Sequence, residues 1–332
     1  MASPHEHAPL TVFEALGLDP LPLRLREAWL ALRGDKSIPA TRFGLSSLRI
    51  FHPALSVATW LGHKRADRLI PLSNLFNHTP TPLEDGWSVR KTQVRDFRGG
   101  ALTYDSHNGT DLAIPVGTVV TAAAPGVVLR ISSEYNRGGL KVFIDHGRGL
   151  VSTSNHLARA LVRIGDVVER GEPVALSGYS GLDALVSFPW SVPHVHFNVW
   201  LNGEYVDPFA APGETALWQD GNSPQPAQRA AARGTTTRAA LHEGSLADCT
   251  DDALDAAIAA CRDAQLRETL RSEPDRARRA MDVLFHRNYY PTRFDAAPPL
   301  YGEDRARAPH LSLPFRAEDF DGITFADGQR PT

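Results

Sequence analysis

Histidine and aspartate recur in one stretch of the chain at spacings that can serve a metal ion. In His107-Asn-Gly-Thr-Asp111 an imidazole precedes a carboxylate by four residues, with Gly109 between them to let the backbone bend. Further along come His156, within Ser154-Asn-His-Leu157, and the pair His194-Val-His196. Imidazole and carboxylate together suit borderline-soft zinc, which takes a tetrahedral set. Three protein ligands then leave one position for water, the arrangement of a catalytic rather than a structural site. Each fragment alone is a weak signal, because a His-x-His on a strand is more often structural. The combination within one segment is specific. Of the 13 histidines, His52, His63, His78, His242, His286 and His310 have no partner at ligand spacing. They read as surface or packing residues, and His5 and His7 lie near the N-terminus.

These groups can meet only if a sheet brings them together. From about residue 99 to 208, short Val, Ile and Leu runs alternate with Gly-containing turns. Val119-Val120, Val127-Val128-Leu129, Lys141-Val-Phe-Ile144 and Val174-Ala-Leu176 read as strands joined by tight hairpins. His194 to Leu201 reads as another, ended by the turn Asn202-Gly203. Side chains two apart on a strand share a face, so His194 and His196 can converge.

The flanks have a different texture. Leu25, Trp29 and Leu32 fall at helical spacing within 21–33, with Gly34 as a C-terminal cap, and 54–61 reads as a second short helix. Thr250 caps a helix that gathers Leu254, Ala257, Ile258 and Cys261 on one face. Ser272 and Pro274 open another helix, running through Met281, Leu284 and Phe285, and an extended tail is expected from Pro291. The expected division is an N-terminal helical and irregular region (1–90), a β-rich catalytic core (91–212), a Gly/Pro/Ala/Arg-rich linker (213–234) and a C-terminal helical region with a tail (235–332).

Composition narrows the classes. Lys plus Arg number 35 against 38 Asp plus Glu, a formal net charge of −3. Nucleic acid and anionic membrane usually demand an excess of positive charge, so no nucleic-acid partner is expected. Cys249 and Cys261, the two cysteines, are too few for a disulfide framework. No run approaches the ~18 apolar residues of an integral membrane segment. The N-terminus has no basic stretch followed by an apolar one. A cytoplasmic location is the default expectation, or the cell wall if another route exports the chain.

Residues from about 99 to 210 resemble the lysostaphin-like (LytM-type) zinc metallopeptidases, which cleave peptide bonds in bacterial cell-wall peptidoglycan. The likeness runs through His107-Asn-Gly-Thr-Asp111, Pro115-x-Gly-Thr-x-Val120, Ala124-Pro-Gly126, Ile144-Asp-His-Gly-x-Gly149 and Asn155-His-Leu157. It continues through Val162-x-x-Gly-Asp-x-Val-x-x-Gly171, Pro193-His-Val-His-Phe197 and Asn202-Gly-x-x-Val-Asp-Pro208. The resemblance implies a mainly β catalytic core, an antiparallel sandwich or partly open barrel of duplicated-hybrid type. It implies Zn2+ held by His107, Asp111 and His196, with His156 and His194 as catalytic histidines beside it. It also implies a metalloendopeptidase acting on peptidoglycan peptides through a zinc-activated water, or else a non-catalytic LytM-fold scaffold that regulates a partner. His146 matches the family too, and reads as a packed turn residue.

Three departures bear on mechanism. The family's tyrosine two residues before the His156 position is Ser154 here, so its task is either missing or supplied by another group, with Tyr104 or Tyr179 as candidates. Asn198 stands where glutamate is frequent. The stretch Gly181 to Pro193 is longer and more apolar than its counterparts. It reads equally as a surface excursion packed on another part of the chain or as a wall of the substrate groove.

Overall fold

A computed structural model describes residues 7–35, 38–79, 81, 86–227, 245–296 and 298–329. Three helices open the chain: α1 (Val12–Leu16), α2 (Leu21–Arg33) and α3 (Pro53–Trp60). Strands β1 (Leu69–Asn74), β2 (Thr110–Ala113), β3 (Val119–Thr121), β4 (Gly126–Glu134), β5 (Gly139–Asp145), β6 (Leu150–Ala160), β7 (Val167–Val168) and β8 (Pro173–Ser177) follow. The one-turn helix α4 (Asp183–Val186) precedes β9 (His194–Leu201) and β10 (Glu204–Tyr205). Helices α5 (Asp251–Ala259), α6 (Ala264–Ser272) and α7 (Arg276–Tyr289) and strand β11 (Gly322–Phe325) complete it.

The sheet runs β11-β1-β2-β9-β6-β5-β4-β7, with β8 joined to the far end of β6 and β3 joined to β8. Antiparallel pairing prevails, with β1–β11 parallel at one edge. This is the mainly β core with helical flanks that the sequence implies. Period-two alternation gives each strand two jobs. On one face Val128, Val142, Ile144, Val195, Phe197 and Val199 pack into the larger core. Their neighbours Val127, Leu129, Phe143, Val151 and Trp200 pack on the opposite face against α5 and α7. That second face also carries the even-numbered residues of β9, among them His194 and His196. So the C-terminal helices cover one end of the face and leave the histidine end uncovered by them.

The helices follow their caps. Thr250 accepts from the Ala253 N–H and starts α5, burying Leu254, Ala257 and Ile258. The helix expected to open at Ser272 and Pro274 begins later, because Asp275 accepts from the Arg278 N–H. Ser272 instead ends α6, which Asp263 caps. In α2 the large apolar side chains face outward: Leu25 is 51% exposed, Trp29 60% and Leu32 39%. The helix docks through Arg24, Ala28 and Ala31 instead. Arg24 donates to the Ser133 carbonyl (2.7 Å), and Glu27 accepts the Tyr135 N–H (2.9 Å). Cys249 and Cys261 are buried free thiols, and among the described residues no helix is long and apolar enough to cross a membrane.

The flanks are more closely woven into the sheet than their composition implies. Residues 69–74 of the N-terminal region form β1, paired to β2. Residues 322–325 of the tail form β11, paired to β1. Within the expected linker, Leu217 and Trp218 are fully buried in the larger core, while 228–234 lie outside the described residues. Trp218 and Pro226 bridge Leu311 and Leu313 of the tail. Such segments supply isolated anchors rather than a repeated face, so periodicity does not reveal them. Trp218→Ala should therefore lower stability by about 3–5 kcal/mol, as for a buried aromatic. Denaturant unfolding checks this, and a change within about 0.5 kcal/mol would indicate a free linker.

Candidate metal centre and groove

Strand pairing brings the first cluster together. In the β2–β9 register Asp111 lies opposite His196 and Ala113 opposite His194. His107, in the loop before β2, folds back over the pair. Its Nε2 is 3.0 Å from Asp111 Oδ1 and 3.1 Å from His196 Nδ1, and His196 Nδ1 is 2.8 Å from that same Oδ1. All three residues are buried. His107 Nδ1 donates to the Leu75 carbonyl (2.6 Å), which can only accept, so in the neutral ring the Nε2 lone pair faces its two companions. Asn74, at the end of β1, donates to Asp111 Oδ2 (2.9 Å) and fixes the carboxylate plane. Burial opposes ionisation of Asp111, yet the fields of His107 and His194 and hydrogen bonds to His107 and His196 hold its carboxyl well below the usual range. Burial likewise keeps the His196 imidazole from charging.

His156 and His194 stand beside this cluster. His156 sits where β6 slips register against β5, at φ +60°. This left-handed residue turns its side chain away from strict alternation. Its Nδ1 donates to the Ser180 carbonyl (2.7 Å), and His194 Nδ1 donates to the Val192 carbonyl (2.7 Å). Both rings thus keep Nε2 unprotonated and free when neutral. Their centroids are 4.7 Å apart, and His194 Nε2 lies 3.5 Å from Asp111 Oδ1. Burial, aided by the neighbouring His194 and His196, pushes the His156 imidazole well below its ordinary value, so it is neutral at pH 7.

Among the described residues, two groupings have ligand-type atoms close enough to share a cation: His107, Asp111 and His196, and His156, Asp183 and His194. Spacing separates them. A tetrahedral ion with ~2.0–2.1 Å bonds holds its ligand atoms about 3.3 Å apart. The first set, at 2.8–3.1 Å, meets that with shifts of a few tenths of an ångström. In the second, Asp183 Oδ2 stands 3.9 Å from His156 Nε2. The first donor set, two imidazoles and one ionised carboxylate, fits zinc. Ligation through His196 Nδ1 leaves the proton on Nε2, which faces Asn198 Nδ2 at 2.9 Å. Gly109 is required here by close approach: a Cβ would lie 2.6 Å from His196 Nε2 and 2.7 Å from the Phe197 carbonyl oxygen.

A groove runs over the cluster in two arms. His156, Asp183, Tyr104 and Phe43 line both; His196, Asn198, Arg137 and Tyr289 border one arm, and His194, Asp111 and Asn74 the other. The long stretch 181–193 packs on α3 and also lines the groove. Phe188 packs edge-on against Trp60 of α3, and Ser56 of α3 donates to the Pro189 and Ser191 carbonyls, while Asp183 and Leu182 wall the groove. Of the two candidate tyrosines, Tyr104 lines the groove with its ring 4.5 Å from His107, whereas Tyr179 is 1% exposed with its hydroxyl toward Ser187. Burial, with the Asp111 and Asp183 charges, keeps the Tyr104 hydroxyl protonated. Sequence reasoning missed Asn74, Asp183 and Tyr289. Asn74 and Tyr289 have no local signal, and Asp183 is hidden in an otherwise apolar stretch. His146 lies apart, bonded to the Pro125 carbonyl (2.9 Å) and Ser152 Oγ (2.8 Å), a packed turn histidine as expected.

Residues 105–208 match the family model described as Peptidase family M23. Over 102 residues the chain is 34% identical to an "Uncharacterized metalloprotease" of Haemophilus influenzae, covering 31% of this chain and 20% of that protein. Over 131 residues it is 34% identical to the peptidoglycan DD-endopeptidase ShyA of Vibrio cholerae, covering 39% and 29%. It is also 36% identical over 123 residues to the murein hydrolase activator EnvC of Escherichia coli, covering 37% and 27%. The chain thus spans 20–29% of the length of these relatives. The likeness to M23 peptidases is thus confined to the segment 105–208 and its near surroundings.

Two expectations follow from this geometry. Gly109→Ala must displace His196 or the β9 backbone, so zinc binding should weaken about 10- to 100-fold, as when supporting groups of a site are removed; metal titration checks this. Burial also pushes the His146 imidazole down to about 3 from 6.5. Its stabilising contribution is whole above about pH 6.5 and is lost as pH falls toward 3. Asp145, pushed by burial up to about 6 from 3.8, acts in the opposite sense between those values. His146→Gln should therefore flatten the fall of Tm between pH 6.5 and 3 relative to the parent chain. An unchanged slope would show that His146 does not stay neutral.

Proposed function

We propose that the chain is a zinc-dependent endopeptidase that hydrolyses peptide bonds in peptidoglycan cross-links or stem peptides. The observation that carries this reading is the convergence of His107, Asp111 and His196 at 2.8–3.1 Å, with His196 and Asp111 bordering the groove. Likeness to a peptidoglycan endopeptidase supports the substrate class. His107, Asp111 and His196 are the residues that would hold zinc. When bound there, zinc acidifies a water and polarises a carbonyl.

The chain's own groups do the rest. His156 and His194 keep Nε2 lone pairs at the groove because backbone carbonyls hold their Nδ1 protons. One neutral imidazole accepts the proton of the attacking water. An imidazolium then stabilises the oxyanion or returns a proton to the leaving amine. The Tyr104 hydroxyl, held protonated, takes the place of the tyrosine absent at Ser154 as a donor to the oxyanion. Asn74 keeps Asp111 in plane, and the wall at 182–187 shields the groove from water.

A second reading is a LytM-type regulator that binds zinc and activates a partner enzyme, favoured by the likeness to EnvC. The intact His156 and His194 pair favours the enzyme. Purified peptidoglycan and defined stem peptides, digested with and without chelator and analysed by mass spectrometry, separate the two. New peptide termini that vanish with chelator are expected; none with verified zinc-loaded protein would leave the regulator.

The two histidine classes should behave differently. Replacing His107, Asp111 or His196 with Ala should abolish zinc binding, because three ligands leave no redundancy. His156→Ala and His194→Ala should retain zinc and lose about 10²- to 10⁴-fold in kcat, the usual worth of general acid–base groups. Zinc content and turnover measured on the same preparations decide it. Loss of zinc from His156→Ala as readily as from His196→Ala would reverse the assignment.

A further inference from the structure

Cations that the fold buries are in most cases answered by a carboxylate. Arg24 pairs with Glu27, Arg98 with Asp96 and Asp327, and Lys141 with Glu134. Arg137, half-buried on the hairpin between β4 and β5 with its guanidinium 5.2 Å from the Tyr290 ring centre, has no such carboxylate. Its Nε donates to the Tyr289 carbonyl at the end of α7 (2.9 Å), and its Nη1 to its neighbour Asn136 (2.8 Å). No carboxylate of the described residues lies within ion-pair distance of it, and its Nη2 donates to none of their groups. Arg137 lines the same groove arm as His196, Asn198 and Tyr289. Burial depresses its basicity, and the charged group nearest in influence besides its tyrosine neighbours is another cation, Arg293.

A half-buried guanidinium with no counter-charge among the described residues, its face over the Tyr290 ring, is one that an anion can complete. Arg170, likewise without a carboxylate, spends one nitrogen on the Ala123 and His310 carbonyls and Ser312 Oγ and fastens the tail. Arg137 spends Nε on a helix end and one proton of Nη1 on Asn136, and keeps Nη2 and the second Nη1 proton for a groove ligand. The planar fork suits a carboxylate, which it can bind through two parallel hydrogen bonds.

We propose that Arg137 forms a subsite for a free carboxylate of the peptide substrate, in the groove arm bordered by His196, Asn198 and Tyr289. This rests on the endopeptidase reading for its substrate class, and not for the existence of the anion site. Peptides with a carboxylate near the cleaved bond are selected by it, and amidated or neutral ones are not. Arg137 is a specificity residue and takes no part in bond cleavage.

The test uses the zinc-loaded full chain and one probe in two forms: cross-linked stem-peptide dimers with free carboxyls, and the same dimers amidated. Hydrolysis gives kcat and KM for each, and calorimetry with the zinc-loaded His194→Ala chain gives binding without turnover. The acid form should be preferred about 10- to 100-fold in KM, the worth of a charge-assisted hydrogen bond. In Arg137→Met the ratio of acid to amide should collapse toward one, and in Arg137→Lys, which keeps the charge without the fork, it should be intermediate. A purely structural Arg137 would change both forms alike and leave the ratio intact. Equal KM values in the parent chain, or a preference that survives Arg137→Met, overturn the subsite. If neither form is hydrolysed yet the acid binds more tightly through Arg137, the subsite stands and the endopeptidase reading falls. If neither is hydrolysed and binding does not discriminate, both fall.

Discussion

The site depends on the pairing of β2 with β9. Leu112, Val195, Phe197 and Val199 drive into the larger core, and that burial sets the register. The alternate residues, Asp111, His194 and His196, are thereby committed to the opposite face. A slip of one residue would send the imidazoles into the core and the apolar side chains into the groove. Chemistry and folding are thus two sides of the same strands. The hydrophobic face stabilises a register that, on its other side, crowds one carboxylate and two imidazoles within hydrogen-bond distance. Such crowding is costly in buried surroundings, and it persists because the core beneath over-determines it.

Backbone carbonyls then decide what the imidazoles can do. Leu75, Ser180 and Val192 each accept an Nδ1 proton, from His107, His156 and His194 respectively. These acceptors come from the end of β1, from the stretch after β8 and from the residue pair before β9. The protonation pattern therefore requires that distant segments be in place together. That requirement explains why the N-terminal region and the stretch 181–193 are packed into the sheet. Asn74 and Leu75 reach the centre because β1 pairs with β2, and the 181–193 stretch is held by Ser56 of α3.

The C-terminal helices govern the other half of the face. Their packing on Phe143 and Trp200 ends at Tyr289, whose hydroxyl lies 3.3 Å from Asn198 Oδ1 and 3.4 Å from Asn155 Oδ1. The amides of Asn155 and Asn198 are themselves joined at 2.8 Å. Asn198 adjoins His196 Nε2, so an uncharged network stands beside this imidazole. It borders the imidazole without adding negative charge to the cluster.

The sequence by itself determined the β-rich core, its hairpins and five residues of the centre: His107, Asp111, His156, His194 and His196. These are legible because strand alternation, glycine turns and metal-ligand chemistry act over a few residues. His146 was legible for the same reason, as part of a turn. Tertiary structure alone decided the supporting groups and the edges. Asn74 lies 37 residues from Asp111, and Tyr289 reaches Asn155 across 134. Trp218, β1 and β11 belong to segments whose composition looked like linker, helix-rich flank or tail. Their contacts are set by burying one or two side chains and completing a sheet edge. Neither task imposes a repeat on the sequence, so only the folded chain reveals them.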